Sequence, residues 1–242
     1  MNLIIDVGNS SAKLAVFKQG KLISKKRIPL ENIMNGVNDI KKEFKSIEKA
    51  IISSVGNLKK REITCIKNYF KVIVLDTSTK IPFQNHYKSP KTLGVDRIAL
   101  VSASVKKYKE LNVLIIDAGT CITYDFINSE NNYLGGAISP GIRVRYQSLN
   151  NLTANLPLLK TKMPYSFIGN STIESIHSGI INGILNEIEG TINYYDKKYK
   201  DLTVILTGGD ADFLSKRLKS SIFANSNFLL EGLNYILEFN TN

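Results

Sequence analysis

Two short stretches of this chain place an acid and a glycine at the end of an apolar run. Leu3 to Lys13 reads LIIDVGNSSAK, and its opening returns at Leu114 to Thr120 as LIIDAGT. In each, Leu-Ile-Ile leads to an Asp and, two residues later, a Gly, the pattern of a buried strand that ends in a tight turn. Such a turn suits phosphate chemistry. Gly8 or Gly119 lets backbone N–H groups close on an anion, while Asp6 or Asp117 holds a cation that neutralises it. Taken singly, either stretch could be a capped turn and nothing more. Repetition argues otherwise, because hydroxyl residues follow both acids (Ser10 and Ser11; Thr120) and lead into second apolar strands, LAVF at Leu14 to Phe17 and ITYDF at Ile122 to Phe126. Two phosphate-gripping hairpins imply two similar halves with a nucleotide clamped between them.

The elements that position these hairpins follow from periodicity. After the first hairpin, a turn at Gly20 leads into KLISKKRI, a third strand ending at Pro29. Apolar residues at Ile33, Val37, Ile40, Phe44 and Ile47 then space a helix, and Ala50 to Ser54 is a strand. Asn57 caps a helix through Phe70, and Lys71 to Leu75 completes a βββαβαβ half. A polar connection, TSTKIPFQNHYKSPKT, precedes a helix from Leu93 to Tyr108 with Gly94, Asp96 and Arg97 in its first turn. A helix start favours negative charge, which suits Asp96 and a bound carboxylate.

The second half repeats the scheme with strands at Asn112 to Asp117, Cys121 to Asn128 and Asn132 to Ile138. The glycines and Pro140 of GGAISPG, Gly135 to Gly141, read as a rigid turn into a helix. Leu149 to Leu159 is a weak helix and loop, and Ser171 to Tyr195 a long helix. The strand Thr203 to Thr207 runs into Gly208 and Gly209, where a backbone can pass close to a flat base or ribose. Helices from Asp210 and from Asn227 to Phe239 end the chain. The expected domains are 1–109 and 110–242.

Composition bounds the function. With 242 residues, 43% hydrophobic and 22% charged, the chain suits a globular protein of one large or two smaller domains. Its apolar runs fall short of the ~20 residues of a membrane span. The N-terminus opens on a strand with no basic segment or cleavable apolar segment, so a cytoplasmic location is expected. Cys65 and Cys121 are too few for a disulfide framework and read as buried thiols. The formal charge of +11 fits nucleic acid, a membrane surface or small anions. Lysine pairs spread along the whole chain describe a solvated surface better than a groove, and no nucleic-acid or membrane partner is expected.

Asp6–Ser10 as DxGNS, Asp117–Thr120 as DxGT and the late Gly-Gly turn resemble the actin-like ATPase and sugar kinase superfamily. Two further motifs, YxxPxxLGxDR at Tyr87 to Arg97 and GGxIxPG at Gly135 to Gly141, are similar to those of type III pantothenate kinases, and the resemblance runs from Asn2 to about Gly232. It implies an α/β fold of two ribonuclease H-like, actin-like ATPase domains with the active site in the cleft between them. It also implies a homodimer, with the long helix from Ser171 at the contact. The implied activity is transfer of the ATP γ-phosphate to the 4′-hydroxyl of pantothenate, the first step of coenzyme A biosynthesis.

By that resemblance the nucleotide is held by Asp6, Val7, Gly8, Asn9, Ser10, Ser11, Ala12 and Lys13, with Thr120 facing the same phosphates. Asp6 holds Mg2+ through water, and Asp117 a monovalent cation, K+ or NH4+. Tyr87, Gly94, Val95, Asp96, Arg97 and Thr172 bind pantothenate, and Asp96 is the catalytic base. Departures from the family pattern are Ser10 for the commoner Thr, Val95 for Ala, and Cys121 directly after the DxGT motif.

The chemistry is consistent with these roles. Phosphoryl transfer needs charge neutralisation and in-line positioning, a carboxylate orients the attacking hydroxyl, and an Arg fork matches a substrate carboxylate. Each residue also has a plainer reading. Arg97 could be a surface ion pair, Thr172 a helix-start residue, Tyr87 a packing aromatic, and Lys13 a solvent-facing strand residue. His86 and His177 lack partners at ligand spacing and read as structural or exposed. Two rival functions stand beside the kinase: an accessory protein that keeps the fold and binds macromolecules, and a kinase for another hydroxy acid or sugar. The retained acids weigh against the first, and the Tyr87 to Arg97 motif against the second.

Overall fold

A computed structural model describes residues 1–8, 11–54 and 58–241. The chain divides into two compact units, one made of Met1–Lys109, Asn131–Tyr133 and Asn227–Asn242, the other of Glu110–Glu130 and Leu134–Ser226.

The first unit opens with β1 (Asn2–Val7), β2 (Ser11–Lys18) and β3 (Lys21–Pro29), then a single 3-10 turn at Leu30–Asn32 and α1 (Ile33–Glu43). It continues with β4 (Lys49–Ser54), α2 (Lys60–Lys67) and β5 (Lys71–Val74), the expected βββαβαβ order. These strands form one sheet in the order β3-β2-β1-β4-β5, antiparallel through β1, β2 and β3 and parallel from β1 to β5. Alternation explains the packing. Leu3, Ile5 and Val7 share a core with Val37 and Ile40 of α1 and with Ile66 of α2. The cap of α2 differs from expectation. Lys59 is the N-cap, its N–H donating to Glu62 Oε2 at 2.8 Å, and Asn57 lies outside the described residues.

A two-residue β6 (Gln84–Asn85) and α3 (Val95–Lys107) follow. The second unit holds β7 (Asn112–Ala118), β8 (Cys121–Ile127), β9 (Asn132–Pro140), α4 (Ile142–Leu152), α5 (Thr172–Lys198), β10 (Leu202–Thr207), α6 (Ala211–Ser215) and β11 (Phe223–Ala224). Its sheet runs β11-β10-β7-β8-β9, and β6 pairs with Asn132 and Tyr133 at the start of β9. Leu114, Ile116, Tyr124 and Phe126 form its core with Ile180, Ile184 and Ile188 of α5. That helix is capped at Ser171, whose Oγ accepts the Glu174 N–H.

Two local readings change. The Gly135–Gly141 stretch is strand as far as Pro140, leaving Gly141 to cap the expected helix, which begins at Ile142 and runs to Leu152 where a weaker helix and loop had been read from Leu149. Glycine at 136 serves a close crossing, since a Cβ there would lie 1.6 Å from the Tyr124 carbonyl oxygen. The terminal helix α7 (Phe228–Phe239) belongs to the first unit and not to the segment before it. Gly232 makes this possible, because any Cβ there would stand 1.9 Å from the Ala99 carbonyl oxygen of α3.

Candidate active site

In the first unit, Asp6 stands directly opposite Lys13 in the β1–β2 register, and Lys13 Nζ donates to Asp6 Oδ2 at 3.2 Å. Burial pushes the Asp6 carboxyl above its ordinary range; Lys13 pulls it back, and the charge of Asp96 pushes the same way as burial. Asp6 therefore senses the charge of Asp96, with Lys13 as a counter-charge. The Gly8 N–H donates to the Ser11 carbonyl at 3.1 Å, and Ser11 Oγ accepts from Arg27 Nε at 2.8 Å. Val7 and Ala12 are buried in the core of the first unit. Asn9 and Ser10 lie outside the described residues.

At the start of α3, Gly94 is the N-cap and Val95, Asp96 and Arg97 form the first turn. Asp96 Oδ1 accepts the Arg97 backbone N–H at 2.9 Å, one of the donors a helix start leaves without an intrahelical partner. A Cβ on Gly94 would sit 2.4 Å from that same oxygen, so glycine here leaves the Asp96 carboxylate in place. Arg97 is buried, not a surface ion pair, with its guanidinium 5.4 Å from the Tyr87 ring centroid. Tyr87 in turn stacks on Tyr133, centroids 6.2 Å apart. Tyr87, Asp96 and Arg97 are thus one assembly. His86 is exposed beside Asn132, whereas His177 is buried against the Tyr146 hydroxyl at 2.7 Å, a structural role.

In the second unit, Asp117 pairs with Thr123 across β7 and β8, and the turn closes with the Gly119 N–H donating to the Cys121 carbonyl at 2.9 Å. Distant motifs lock onto this turn. The Gly141 N–H donates to the Thr120 carbonyl at 3.0 Å, and a Cβ on Gly141 would lie 2.1 Å from the Gly119 carbonyl oxygen. Gly208, at φ +97°, comes so close that a Cβ would be 2.5 Å from Asp117 Oδ1. Neither cysteine is buried: Cys65 lies on α2, which buries only Ile66, and Cys121 opens β8 where the turn meets solvent. Thr172 is exposed in the first turn of α5, in a shallow depression with Asn170 and Ser175.

Sequence reasoning missed what braces this turn. Arg145 of α4 donates to the Pro140 carbonyl at 2.9 Å, to Ser139 Oγ at 2.8 Å and to Glu187 Oε2 at 2.5 Å, while the Tyr124 hydroxyl donates to Glu187 Oε1 at 2.8 Å. Burial opposes the Glu187 charge, but the hydrogen bonds from Arg145 and Tyr124 outweigh it and hold the carboxyl below its ordinary range. No local pattern announces partners 42 residues apart. Also missed was a cavity in the second unit lined by Arg143, Gln147 and Asp210.

Solved structures share this architecture. A Campylobacter jejuni protein described as a Baf family transcriptional activator aligns at TM-score 0.63 and 23% identity over 98% of both chains. A glucokinase from an Antarctic psychrotroph aligns at TM-score 0.54 and 11% identity, again over 98% of both chains. At these identities they speak for the fold alone, that of the actin-like ATPases and sugar kinases. The type III pantothenate kinase profile matches residues 2–194, and a type III pantothenate kinase from Christiangramia forsetii is 52% identical over 99% of both chains. The chain belongs to the type III pantothenate kinase family.

Proposed function

We propose that this protein transfers the γ-phosphate of ATP to the 4′-hydroxyl of pantothenate, the first step of coenzyme A biosynthesis. The observation that carries the reading is the pairing of acids in the first unit: buried Asp6 feels the charge of Asp96, which heads α3 beside the Tyr87–Arg97 stack. Asp96 has one oxygen occupied by the Arg97 N–H, so Oδ2 is the atom for the substrate hydroxyl. As the hydroxyl oxygen bonds to the γ-phosphorus, its proton passes to Asp96, the bond to the β–γ bridging oxygen breaks and ADP departs. The Arg97 fork, steadied by Tyr87, receives the pantothenate carboxylate.

The residues present fit Mg·ATP. A largely buried acid that also feels the charge of a second acid favours a cation, and Asp6 would hold Mg2+ through water; the ion would neutralise phosphate charge. Gly8, Asn9, Ser10, Ser11 and Lys13, with the Val7 and Ala12 backbones, form the first phosphate loop, and Thr120 the second. Asp117, crowded by Gly208, is the seat of a K+ or NH4+ ion.

The protein acts as a homodimer. Tyr165, Phe167 and Ile168 on the connection before α5 are 89%, 70% and 81% exposed, and Ile173 extends the apolar surface onto α5. A second copy is the occupant proposed for it, and light scattering that reports a monomer at working concentration would count against it. Exposed free thiols suit a reducing, cytoplasmic setting. Among the described residues no helix is long and apolar enough to cross a membrane.

One coupled assay tests the core of this. ADP release should require both ATP and pantothenate, rise with K+ over Na+, and fall about 10²–10⁴-fold in Asp96→Asn with the fold intact. Unchanged turnover in that variant removes Asp96 from the chemistry.

A further inference from the structure

Thr120 stands exposed at the tip of the second hairpin turn, where the reading above has it meet the donor phosphates. The base of that turn is fixed by the Gly119 N–H on the Cys121 carbonyl at 2.9 Å and by the Asp210 N–H on the Ala118 carbonyl at 3.0 Å. Its tip is held from farther along the chain, because the Thr120 carbonyl accepts the Gly141 N–H at 3.0 Å.

That N–H belongs to the same peptide group as the Pro140 carbonyl, which accepts Arg145 Nε at 2.9 Å. A peptide group is flat and stiff, so whatever fixes its oxygen also fixes the direction of its N–H. Arg145 therefore aims the Gly141 N–H at Thr120. Its guanidinium is fixed in turn, with Nη2 donating to Ser139 Oγ at 2.8 Å and to Glu187 Oε2 at 2.5 Å, and a planar fork anchored at one nitrogen has little freedom at the others. Glu187 is set by the Tyr124 hydroxyl on its other oxygen at 2.8 Å. With side chains 21% and 30% exposed, the Arg145–Glu187 pair is partly screened, so geometry is a larger part of its contribution than charge.

We propose that Arg145 is a positioning residue for the phosphoryl donor: held by Glu187, it orients the Pro140–Gly141 peptide on the Thr120 carbonyl and so sets how the second turn grips the donor phosphates. It acts through backbone and not on the reacting atoms. The inference rests on the kinase reading, which supplies the ligand at Thr120. Loss of Arg145 frees the tip of the turn and leaves its base in place, so the effect falls on the donor and not on the fold.

Steady-state kinetics, with calorimetric titration of the full chain by a non-hydrolysable ATP analogue, tests this. Arg145→Ala should raise the KM for ATP and weaken the analogue about 10-fold, with the KM for pantothenate unchanged. Arg145→Lys keeps the charge without the fork and should lie between, at about 3-fold. Glu187→Ala should weaken the donor in the same way, and the double variant should be no worse than Arg145→Ala, because Glu187 acts through Arg145. A pair that only stabilises the fold would lower the melting temperature and leave the KM for ATP alone. That result overturns the proposal, as do equal rises in both KM values or additive losses in the double variant. Should Arg145→Ala not fold, the lysine variant decides, and a wild-type KM for ATP in it overturns the role of the fork. Analogue binding that depends on Arg145 in a protein that leaves pantothenate untouched would sink the substrate reading and spare the positioning; a pantothenate kinase whose KM for ATP ignores Arg145 would do the reverse.

Discussion

Lys13 and Asp6 face each other across β1 and β2, with Nζ 3.2 Å from Oδ2, and this pair sets the charge at the mouth of the first hairpin. Lys13 keeps its side chain 41% exposed, whereas that of Asp6 is 13% exposed. The lysine therefore bridges solvent and a buried acid, and can follow a phosphate without leaving its partner far behind. At the corresponding register of the second hairpin, Asp117 faces the neutral Thr123. Similar hairpins thus place unlike partners opposite their acids, which is compatible with the different cations proposed for them.

The first prediction concerns pH. The folded protein holds the Asp6 proton more tightly than the unfolded chain does, so the carboxylate costs stability once the pH is above its folded value. That cost fades as pH falls toward the ordinary value of about 4. Asp6→Asn should therefore melt higher than wild type at pH 7, with the gap closing in acid, while activity drops at least about 100-fold. The Lys13 pair is too exposed to reverse the sign. A lower melting point at pH 7, measured by calorimetry, would mean that the pair outweighs burial.

Gly94→Ala should act through Asp96 and not through the fold. The added Cβ meets Asp96 Oδ1 at 2.4 Å, so the carboxylate must swing off the Arg97 N–H and away from the position proposed for catalysis. Turnover should fall about 10²-fold, with far-ultraviolet dichroism unchanged. Wild-type turnover would show that the carboxylate has room to spare.

Gly141→Ala should strike the nucleotide side. Its Cβ meets the carbonyl oxygens of Gly119 and Thr120 at 2.1 and 2.5 Å, rigid backbone that can yield only if the second turn moves. The KM for ATP should rise about 10-fold and the KM for pantothenate stay put. An equal rise in both would point to general damage.

Thiol labelling offers a chemical check on the second turn. Cys65 and Cys121 are both exposed, so a thiol reagent should modify both in the native protein. Mg·ATP should slow Cys121, next to Thr120, about 10-fold or more and leave Cys65 unaffected. Mass spectrometry of the labelled peptides reads each site separately.

Much of the fold was legible because strand and helix periods are local. β1, β2 and β3 and the long α5 each lie close to where alternation or heptad-like spacing put them, since burying one face is enough to select the element. The misses share a cause. GGAISPG reads as a turn by composition, yet Gly136 is there to let the Tyr124 carbonyl cross β9, a demand made by another strand. The cysteines read as buried by residue type, but exposure depends on which face of α2 and which end of β8 they occupy. Helix α7 follows the second unit in the chain and packs on α3 of the first, for which Gly232 is the only local sign.

By itself, the order of residues determined the two acid-tipped hairpins, the α3 start that carries Asp96 and Arg97, and the family to which they point, because each is written in a handful of neighbouring positions. Tertiary structure alone decided that Arg97 is buried beneath Tyr87, that Arg145 and Glu187 brace the second turn, and that Asp210 lines a cavity with Arg143 and Gln147. Those are matters of which distant side chains end up in contact, and contact across tens of residues is set by packing, which no short stretch of sequence encodes.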